Sequence, residues 1–191
     1  MPNKCENHDA IVNTVTRWID KFVVRYQLCP FAHAAVGRGQ IRFVNTSVNK
    51  RKRLLAELES ELLTLTQDDS IETTFLIHPN VLQDFYAYNE FMSEGNRLVQ
   101  QLNLEGVVQI AGFHPHYEFA GAGYDAPENY ANRSPYPMLH LLREDSVTQA
   151  VDAHPDINGV PKRNQDTLNR LGQKALARLW EAGFDAADNR D

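Results

Sequence analysis

Residues 71–80, IETTFLIHPN, contain the clearest strand pattern of the chain. The segment is rich in β-branched and aromatic residues, which favour β-strands, and it ends in the pair His78-Pro79. Because proline has no amide hydrogen, it ends the hydrogen-bond ladder of a strand. Residues 106–115, GVVQIAGFHP, repeat the arrangement, since an apolar strand is followed at once by His114-Pro115. The sequence therefore predicts two strands that are each followed directly by a histidine.

Two further strands are predicted on either side of this pair in the chain. Residues 40–45 alternate apolar and polar side chains, and residues 137–144 favour a strand, although periodicity alone leaves a short helix open there. Apolar stripes at spacings of three and four predict helices at 8–27, 54–65, 81–103 and 164–182, with a shorter helix that begins at Asp145 or Ser146. This alternation favours an α/β fold, with α+β as the alternative: a four-stranded mixed, largely parallel sheet with helices packed on it.

Local residues predict where several helices begin and end. Asn80 is expected to cap the helix of residues 81–103. The first helix is expected to stop before Cys29-Pro30, because a proline disfavours helix in the residue that precedes it. Gly37 and Gly39 then predict a loop between the first helix and the first strand.

Length and charge restrict the class of protein. The 191 residues predict one globular domain, residues 1–191, with flexible ends at 1–7 and 184–191. The net charge of −6 argues against nucleic acid as a partner, because phosphate backbones are held by dense fields of lysine and arginine. The basic run at residues 50–53, KRKR, is expected to be a solvated helix face; together with Arg38 and Arg42 it could instead bind RNA.

The sequence also predicts a location in the cell. No apolar run approaches the ~18 residues of a membrane span, and the N-terminal residues lack the apolar segment of a signal peptide. The two cysteines, Cys5 and Cys29, do not make a disulfide framework. We therefore expect a cytoplasmic protein with reduced thiols and no membrane contact.

The histidines are the first candidates for chemistry. If the two strands that precede them are parallel, His78 and His114 lie at the carboxyl edge of the sheet, where open α/β sheets bind ligands. His114 and His116 are two residues apart, so an extended backbone places them on one face together with Glu118. Such a His-x-His pair is typical of metal sites, but no spacing in the chain identifies a third ligand, so metal and cofactor remain unknown.

Cys29 is a candidate nucleophile. Its predicted position at the end of a helix would raise the pKa of the thiol, so activation would require a base such as His114 or His140. The alternative is a buried structural cysteine.

The stretch between the last two strands is the second candidate region. A loop of about 23 residues without secondary structure is uncommon and often functional. Its Asn132-Arg133-Ser134 run offers a guanidinium that matches carboxylate or phosphate, although Arg133 could equally pin the loop to backbone carbonyls. On the following strand, His140 and Arg143 fall on opposite faces, and His140 could be a core histidine among leucines.

Three strings of residues carry a family resemblance: WIDKFVVRYQLCPFA (18–32), QIAGFHPHYEFAG (109–121) and NRSPYPMLHLLRED (132–145). Through them the chain resembles, over about residues 11–171, a bacterial family of soluble proteins designated domain of unknown function 1415. The resemblance implies no activity, cofactor or catalytic residue. All residue roles predicted from the sequence therefore rest on side-chain chemistry.

We predict an enzyme that acts on a small anionic metabolite by hydrolysis or group transfer in a cleft rich in histidine and arginine. The alternative is a non-catalytic module that binds a small ligand or another protein. The substrate, the reaction and the oligomeric state are not determined by the sequence. The candidate catalytic residues are His114, His116 and Cys29, and the candidate ligand-binding residues are Arg133, Asn132, Ser134, His78, His140 and Arg143.

Overall fold

Helices and strands alternate along the chain, as predicted. The computed structural model describes residues 8–184, apart from the side chains of residues 33 and 34, and within them it contains four β-strands and seven α-helices. In chain order the elements are α1 (His8–Trp18), a π-helix (Ile19–Val24), α2 (Pro30–Arg38), β1 (Ile41–Asn45), α3 (Arg51–Gln67), β2 (Thr73–Ile77), α4 (Phe85–Gln101), β3 (Val108–Phe113), a 3-10 helix (Pro127–Ala131), β4 (Met138–Arg143), α5 (Glu144–Asp152), α6 (Val160–Leu171) and α7 (Gln173–Glu181). All four predicted strands are confirmed, and residues 138–143 form a strand rather than a helix.

The four strands form one mixed sheet in the order β1-β2-β4-β3. Only β1 and β2 are parallel, and β4 runs antiparallel to both of its neighbours. The prediction of a largely parallel sheet is therefore wrong. The reason is that the loop after β3 returns the chain to the edge where β2 and β3 end, and β4 enters between them from that edge. Because β2 and β3 each oppose β4, they still point in the same direction.

A hydrophobic core lies on each face of the sheet. Alternation along the strands places Phe75 and Met138 on one face, where α1, the π-helix, α6 and α7 cover them. Leu76 and Leu139 point to the opposite face, which α3 and α4 cover. Near Leu142, α2 and α5 complete the first face. Each fully buried leucine or phenylalanine stabilises the fold by roughly 2 kcal/mol relative to its exposed state.

The start of α4 differs from the prediction. Asn80 is not its cap, because the helix begins at Phe85 and is capped by Asp84, whose carboxylate accepts a hydrogen bond from the Ala87 amide at 2.8 Å. Leu82 has a φ of 57°, a left-handed conformation that is incompatible with helix. Residues 79–84 therefore form a loop between His78 and α4.

Three other regions differ from the predicted helices and loops. Residues 30–38 form α2 instead of a loop; Gly37 lies inside the helix, and Gly39 ends it with a φ of 66°. The predicted last helix is two helices, because Gly172 has φ 76° and ψ 153°, a conformation favoured only by glycine. The first predicted helix continues past Trp18 as a π-helix, which buries Ile19, Phe22 and Val23.

The predicted flexible ends are mostly outside the described part of the chain. Residues 1–7, which include Cys5, and residues 185–191 lie outside the described residues. Phe184, which was assigned to the flexible end, is buried and packs against Trp180.

Candidate functional site

The two histidine-proline pairs lie at the same edge of the sheet. Ile77, the last residue of β2, and Phe113, the last residue of β3, both pair with Met138 at the start of β4. Beyond them, the His78 amide donates to the Pro137 carbonyl at 3.0 Å. The two histidines therefore flank the point where the chain enters β4, as the repeated pattern predicts.

His114 is fully buried, and both ring nitrogens have partners. Its Nδ1 accepts a hydrogen bond from the His116 amide at 3.0 Å, and its Nε2 lies 3.1 Å from the Leu82 carbonyl oxygen. A carbonyl can only accept, so the proton is on Nε2. Burial lowers the pKa of His114 to about 4, so the ring is neutral at pH 7. His114 therefore connects the loop that follows β3, through His116, to the loop that precedes α4, through Leu82.

His78 is also buried, but only one of its nitrogens is bonded. Its Nδ1 donates to the Val81 carbonyl at 3.0 Å, while Nε2 is sealed from solvent without a hydrogen-bond partner. The ring stacks on Tyr88, with 5.9 Å between centroids. Burial lowers the pKa of His78 to about 4. Neither His78 nor His114 reaches solvent as a general base would in an open cleft.

His116 is the exposed member of the group. Its Nδ1 lies 2.9 Å from the Tyr124 hydroxyl, and the two rings stack. The side chain lines a groove between the first turn of α4 and the loop that follows β3. Because His114 bonds the His116 backbone, the buried histidine positions the exposed one.

The groove is lined mainly by aromatic and acidic side chains. Tyr86, at 78% exposure, and Tyr124, at 51%, form its outer walls, although large aromatic side chains are usually more buried. Asp84 and Glu118 bring negative charge, and none of the described lining residues is a lysine or arginine. The lining consists of Gln83, Asp84, Phe85, Tyr86, Asn89, His116, Tyr117, Glu118, Phe119, Ala120, Gly121 and Tyr124.

Sequence reasoning missed the half of this groove that α4 contributes. Residues 83–86 were assigned to the continuous helix predicted at residues 81–103. Asp84 is the signal that could have identified the groove. Aspartate is a preferred N-cap residue, and a cap at Asp84 would have moved the predicted helix start to Phe85.

Arg133 bonds two backbone carbonyls of the loop to which it belongs. Its Nε donates to the Tyr117 carbonyl at 3.1 Å, and its Nη2 donates to the Tyr124 carbonyl at 2.6 Å. The guanidinium lies between the Tyr124 and Tyr130 rings, 4.7 and 4.8 Å from their centroids. These contacts match the interpretation in which Arg133 pins the loop to backbone carbonyls. A role in anion binding stays a prediction.

The neighbours of Arg133 act on the backbone in the same way. Asn132 donates from Nδ2 to the Gly112 carbonyl at 3.2 Å, and Ser134 donates from Oγ to the Tyr136 carbonyl at 2.7 Å. Asn129, which the sequence reasoning overlooked, is fully buried and accepts from the Phe119 amide. The ligand-binding roles of Asn132 and Ser134 likewise stay predictions.

Cys29 lies on the other side of the sheet from His114. It precedes Pro30 as the N-cap of α2, so the expected position at the end of a helix is wrong. Burial raises the pKa of its thiol, which keeps it protonated. His114 packs against Phe85 and Tyr88 of α4, on the opposite face, so Cys29 and His114 do not form a pair.

His140 and Cys29 line one cavity, which lies between α2, the π-helix and the sheet. The His140 ring stacks on Phe75, with 3.9 Å between centroids, and its Nε2 lies 2.7 Å from Thr73 Oγ1. Burial lowers the pKa of His140 to about 3.

Arg143 lies at the opposite end of β4 from the histidine edge. Its guanidinium donates to the carbonyls of Leu65, Asp68 and Ile71, at 2.6, 3.0 and 3.1 Å. It therefore caps the C-terminus of α3 and does not join the Asn132-Arg133-Ser134 group.

The hypotheses of a metal site and of an RNA-binding patch each require several side chains of one kind close together. Within residues 8–184, no group of three or more histidine, cysteine, aspartate or glutamate side chains is placed to hold a metal ion. Of the residues considered for an RNA-binding patch, Arg42 pairs with Glu61, and Arg51 pairs with Glu90 and Glu94 of α4.

Comparison with protein families identifies the family of this chain. Residues 10–178 match the model of a family described as protein of unknown function (DUF1415). The chain belongs to this family. Comparisons with curated proteins and with solved structures found no match for this DUF1415 member. Among its described helices, none has the length and apolar character that a membrane crossing requires.

Proposed function

We propose that this chain binds a small organic cation in the groove between α4 and the loop after β3. The observation that carries the proposal is the pair of exposed tyrosines, Tyr86 and Tyr124, beside two carboxylates in a lining without lysine or arginine. Among the functions considered from the sequence, this corresponds to a non-catalytic module that binds a small ligand. The charge of the ligand is opposite to the anion expected from Arg133.

The aromatic walls provide the first part of the recognition. A cation over the face of a tyrosine ring gains about 0.5–2 kcal/mol, and more as the site excludes water. One side of Tyr124 carries the Arg133 guanidinium at 4.7 Å, and its ring also stacks with His116, so Tyr86 presents the more open ring face to a ligand. Phe85, Tyr117 and Phe119 are half-buried and form an apolar floor beneath the two exposed rings.

The carboxylates provide the second part. Asp84 and Glu118 face the groove from its two sides, one from the cap of α4 and one from the loop. An anion would be repelled by both, whereas an ammonium group would be attracted by both. Asp84 also caps α4, so Glu118 is the carboxylate that can be changed without affecting the helix.

Tetramethylammonium is a suitable probe, with tert-butanol as a neutral molecule of similar shape and inorganic phosphate as the anion. Chemical-shift titrations of the isotope-labelled protein should show saturable binding of tetramethylammonium at the groove and none of phosphate. Tyr86→Ala and Glu118→Gln should each weaken binding about three- to tenfold. Val151→Ala and Glu105→Gln change an exposed apolar side chain and an exposed carboxylate outside the groove. Both variants should bind tetramethylammonium as the wild type does. Preferential binding of phosphate, or equal binding of tert-butanol, would refute the proposal.

His116 supports a second candidate, an enzyme that performs hydrolysis or group transfer in the same groove. Its Nδ1 lies next to the Tyr124 hydroxyl, and its Nε2 has no hydrogen-bond partner among the described residues. This arrangement leaves one nitrogen free for proton transfer. Hydrolysis of p-nitrophenyl acetate or p-nitrophenyl phosphate that His116→Ala abolishes and His154→Ala does not would support the enzyme. Equal rates in both variants would exclude His116 as its base.

A further inference from the structure

An apolar cavity with one polar nitrogen lies on the opposite side of the sheet from the groove. Its volume is about 40 Å³. A water molecule needs roughly 10–15 Å³ of such space, so there is room for about three. The cavity is lined by Trp18, Ile19, Val23, Cys29, Phe31, Ala32, Ala35, Val36, Ile41, Thr73, Phe75, Phe113 and His140.

The hydrogen bonds around His140 determine which of its nitrogens carries the proton. Thr73 Oγ1 donates its only hydrogen to the Leu141 carbonyl at 2.6 Å. The same hydroxyl lies 2.7 Å from His140 Nε2 and has no hydrogen left to donate to it. The hydroxyl oxygen must therefore accept this bond, so Nε2 carries the hydrogen. Burial lowers the pKa of His140 to about 3, so the ring holds one proton at pH 7. Nδ1 is then a bare acceptor.

This acceptor is available to the cavity. His140 is only 7% exposed, and its Nδ1 has no hydrogen-bond partner among the described residues. Unlike Nε2 of His78, this nitrogen is not sealed, because part of its surface remains open. The open space beside the ring is the cavity, so the lone pair of Nδ1 is directed at whatever fills it.

Water is a poor occupant for this cavity. Buried waters typically make about three hydrogen bonds. Here the Thr73 hydroxyl already makes its bonds to Leu141 and His140, the indole N–H of Trp18 is sealed from solvent, and the Cys29 thiol is only a weak donor. A molecule that is apolar apart from a single donor matches the lining better.

We propose that this cavity binds a small neutral apolar molecule whose single N–H or O–H donates to His140 Nδ1. Ile19 and Val23 of the lining belong to the π-helix, and π-helical turns are frequent at functional sites. Within the lining, the Phe75 and His140 rings stack face to face with 3.9 Å between their centroids, which fixes the orientation of the His140 ring. This site is independent of the groove and of its ligand.

Pyrrole and furan test the proposal, because the two rings have the same shape and only pyrrole has an N–H. In protein labelled with ¹⁵N-histidine, the free form should show His140 as the Nε2–H tautomer. Pyrrole should shift the Nδ1 resonance, whereas furan should not, and pyrrole should bind about three- to tenfold more tightly. A free form that carries its proton on Nδ1, equal affinity for the two rings, or binding of neither would overturn the proposal.

A variant that fills the cavity provides an independent check. Ala35 is buried in the lining, so Ala35→Leu should occupy the space and abolish the pyrrole-dependent shift. Ala175→Leu adds the same group on the exposed side of α7 and should leave binding unchanged. If Ala35→Leu fails to fold, the wild-type comparison of pyrrole with furan still decides. Undiminished pyrrole binding in a folded Ala35→Leu variant would contradict the assigned site.

Discussion

At the scale of single residues, three buried histidines are kept neutral by their surroundings. Burial lowers the pKa of His78 and His114 to about 4 and that of His140 to about 3. An unfolded histidine has a pKa near 6.5. Each of these side chains therefore links folding to pH, because the unfolded chain binds protons that the folded chain does not.

Acidification should destabilise the protein between about pH 6.5 and pH 4. Above pH 6.5 both states hold these rings neutral, and the stability is complete. As pH falls below 6.5, protons bind the unfolded state first, so the free energy of unfolding should decrease by up to about 4 kcal/mol per pH unit for three histidines. Urea unfolding at pH 7, 6 and 5 measures the slope, and an unchanged midpoint would contradict the assignment.

His78→Asn tests one contribution to this slope. The asparagine amide can still donate to the Val81 carbonyl, while the titrating ring and its unpartnered Nε2 are removed. The slope should decrease by about a third. His154→Gln, a change at a half-buried histidine away from the sheet edge, should leave the slope as it is.

Gly112 and Tyr88 form a close contact. A Cβ at Gly112 would lie 2.7 Å from the Tyr88 hydroxyl, which is buried and donates to the Met138 carbonyl at 2.8 Å. Gly112→Ala should therefore lower the free energy of unfolding by about 1–3 kcal/mol. Tyr88→Phe should cost about 1 kcal/mol, and the double variant should lose less than the sum. Gly37→Ala, whose Cβ meets nothing within 4 Å and which lies inside α2, is the control and should instead raise the free energy of unfolding by about 0.5–1 kcal/mol. Strict additivity in chemical denaturation would show that the two residues do not clash.

At the scale of elements, Arg143 connects the end of β4 to the end of α3. The last carbonyls of a helix have no partner within it, and Arg143 bonds those of Leu65 and Asp68, together with that of Ile71. The role expected for Arg143 from the sequence was ligand binding. The observed contacts make it a helix cap that reaches across more than 70 residues of chain.

Replacement of Arg143 should destabilise the fold without affecting the groove. Arg143→Met keeps the apolar stem but removes the guanidinium donor of the Leu65 and Ile71 carbonyls and leaves the Asp68 carbonyl only the Ile71 amide, which should cost about 2 kcal/mol in urea unfolding. The ion pair of Arg143 with Asp69 is at 3.6 Å and fully exposed at Asp69, so Asp69→Asn should leave stability unchanged. An unaltered Arg143→Met midpoint would show that the cap contributes nothing.

At the scale of the whole molecule, the sheet separates two hydrophobic cores, one on each of its faces. Leu62 of α3 and Leu168 of α6 are fully buried on opposite sides. Trp18 and Trp180 both pack in the core that contains Leu168. Tryptophan fluorescence therefore reports on one core only, and far-ultraviolet circular dichroism reports on the helices of both.

The two cores should unfold in a single transition. Leu62→Ala should lower the free energy of unfolding by about 2–5 kcal/mol and should shift the tryptophan fluorescence and circular dichroism transitions equally. Leu63→Ala, at the neighbouring and exposed position, should have little effect. A fluorescence midpoint that stays in place while the dichroism midpoint moves would mean that the two cores fold separately, and that residues 8–184 are not one domain.

Much of the secondary structure could be predicted because its causes are local. The alternating and apolar runs that became β1, β2, β3 and β4 depend on neighbouring residues, and all four strands form where they were predicted. Predictions failed where a local pattern was ambiguous: glycine was taken as a loop marker at position 37, and Asn80 was predicted as the cap of a helix that Asp84 caps in the structure.

The sequence by itself determined the strands, most of the helices, and the fact that a histidine follows both β2 and β3, because these features depend on residues that are adjacent in the chain. Only the tertiary structure decided that β4 enters between β2 and β3, that His114 is sealed while His116 is exposed, and that Arg133 and Arg143 bond carbonyls far away in the chain. Those outcomes depend on which distant groups meet. A buried polar group takes whatever partner the fold brings to it, and side-chain type alone does not name that partner.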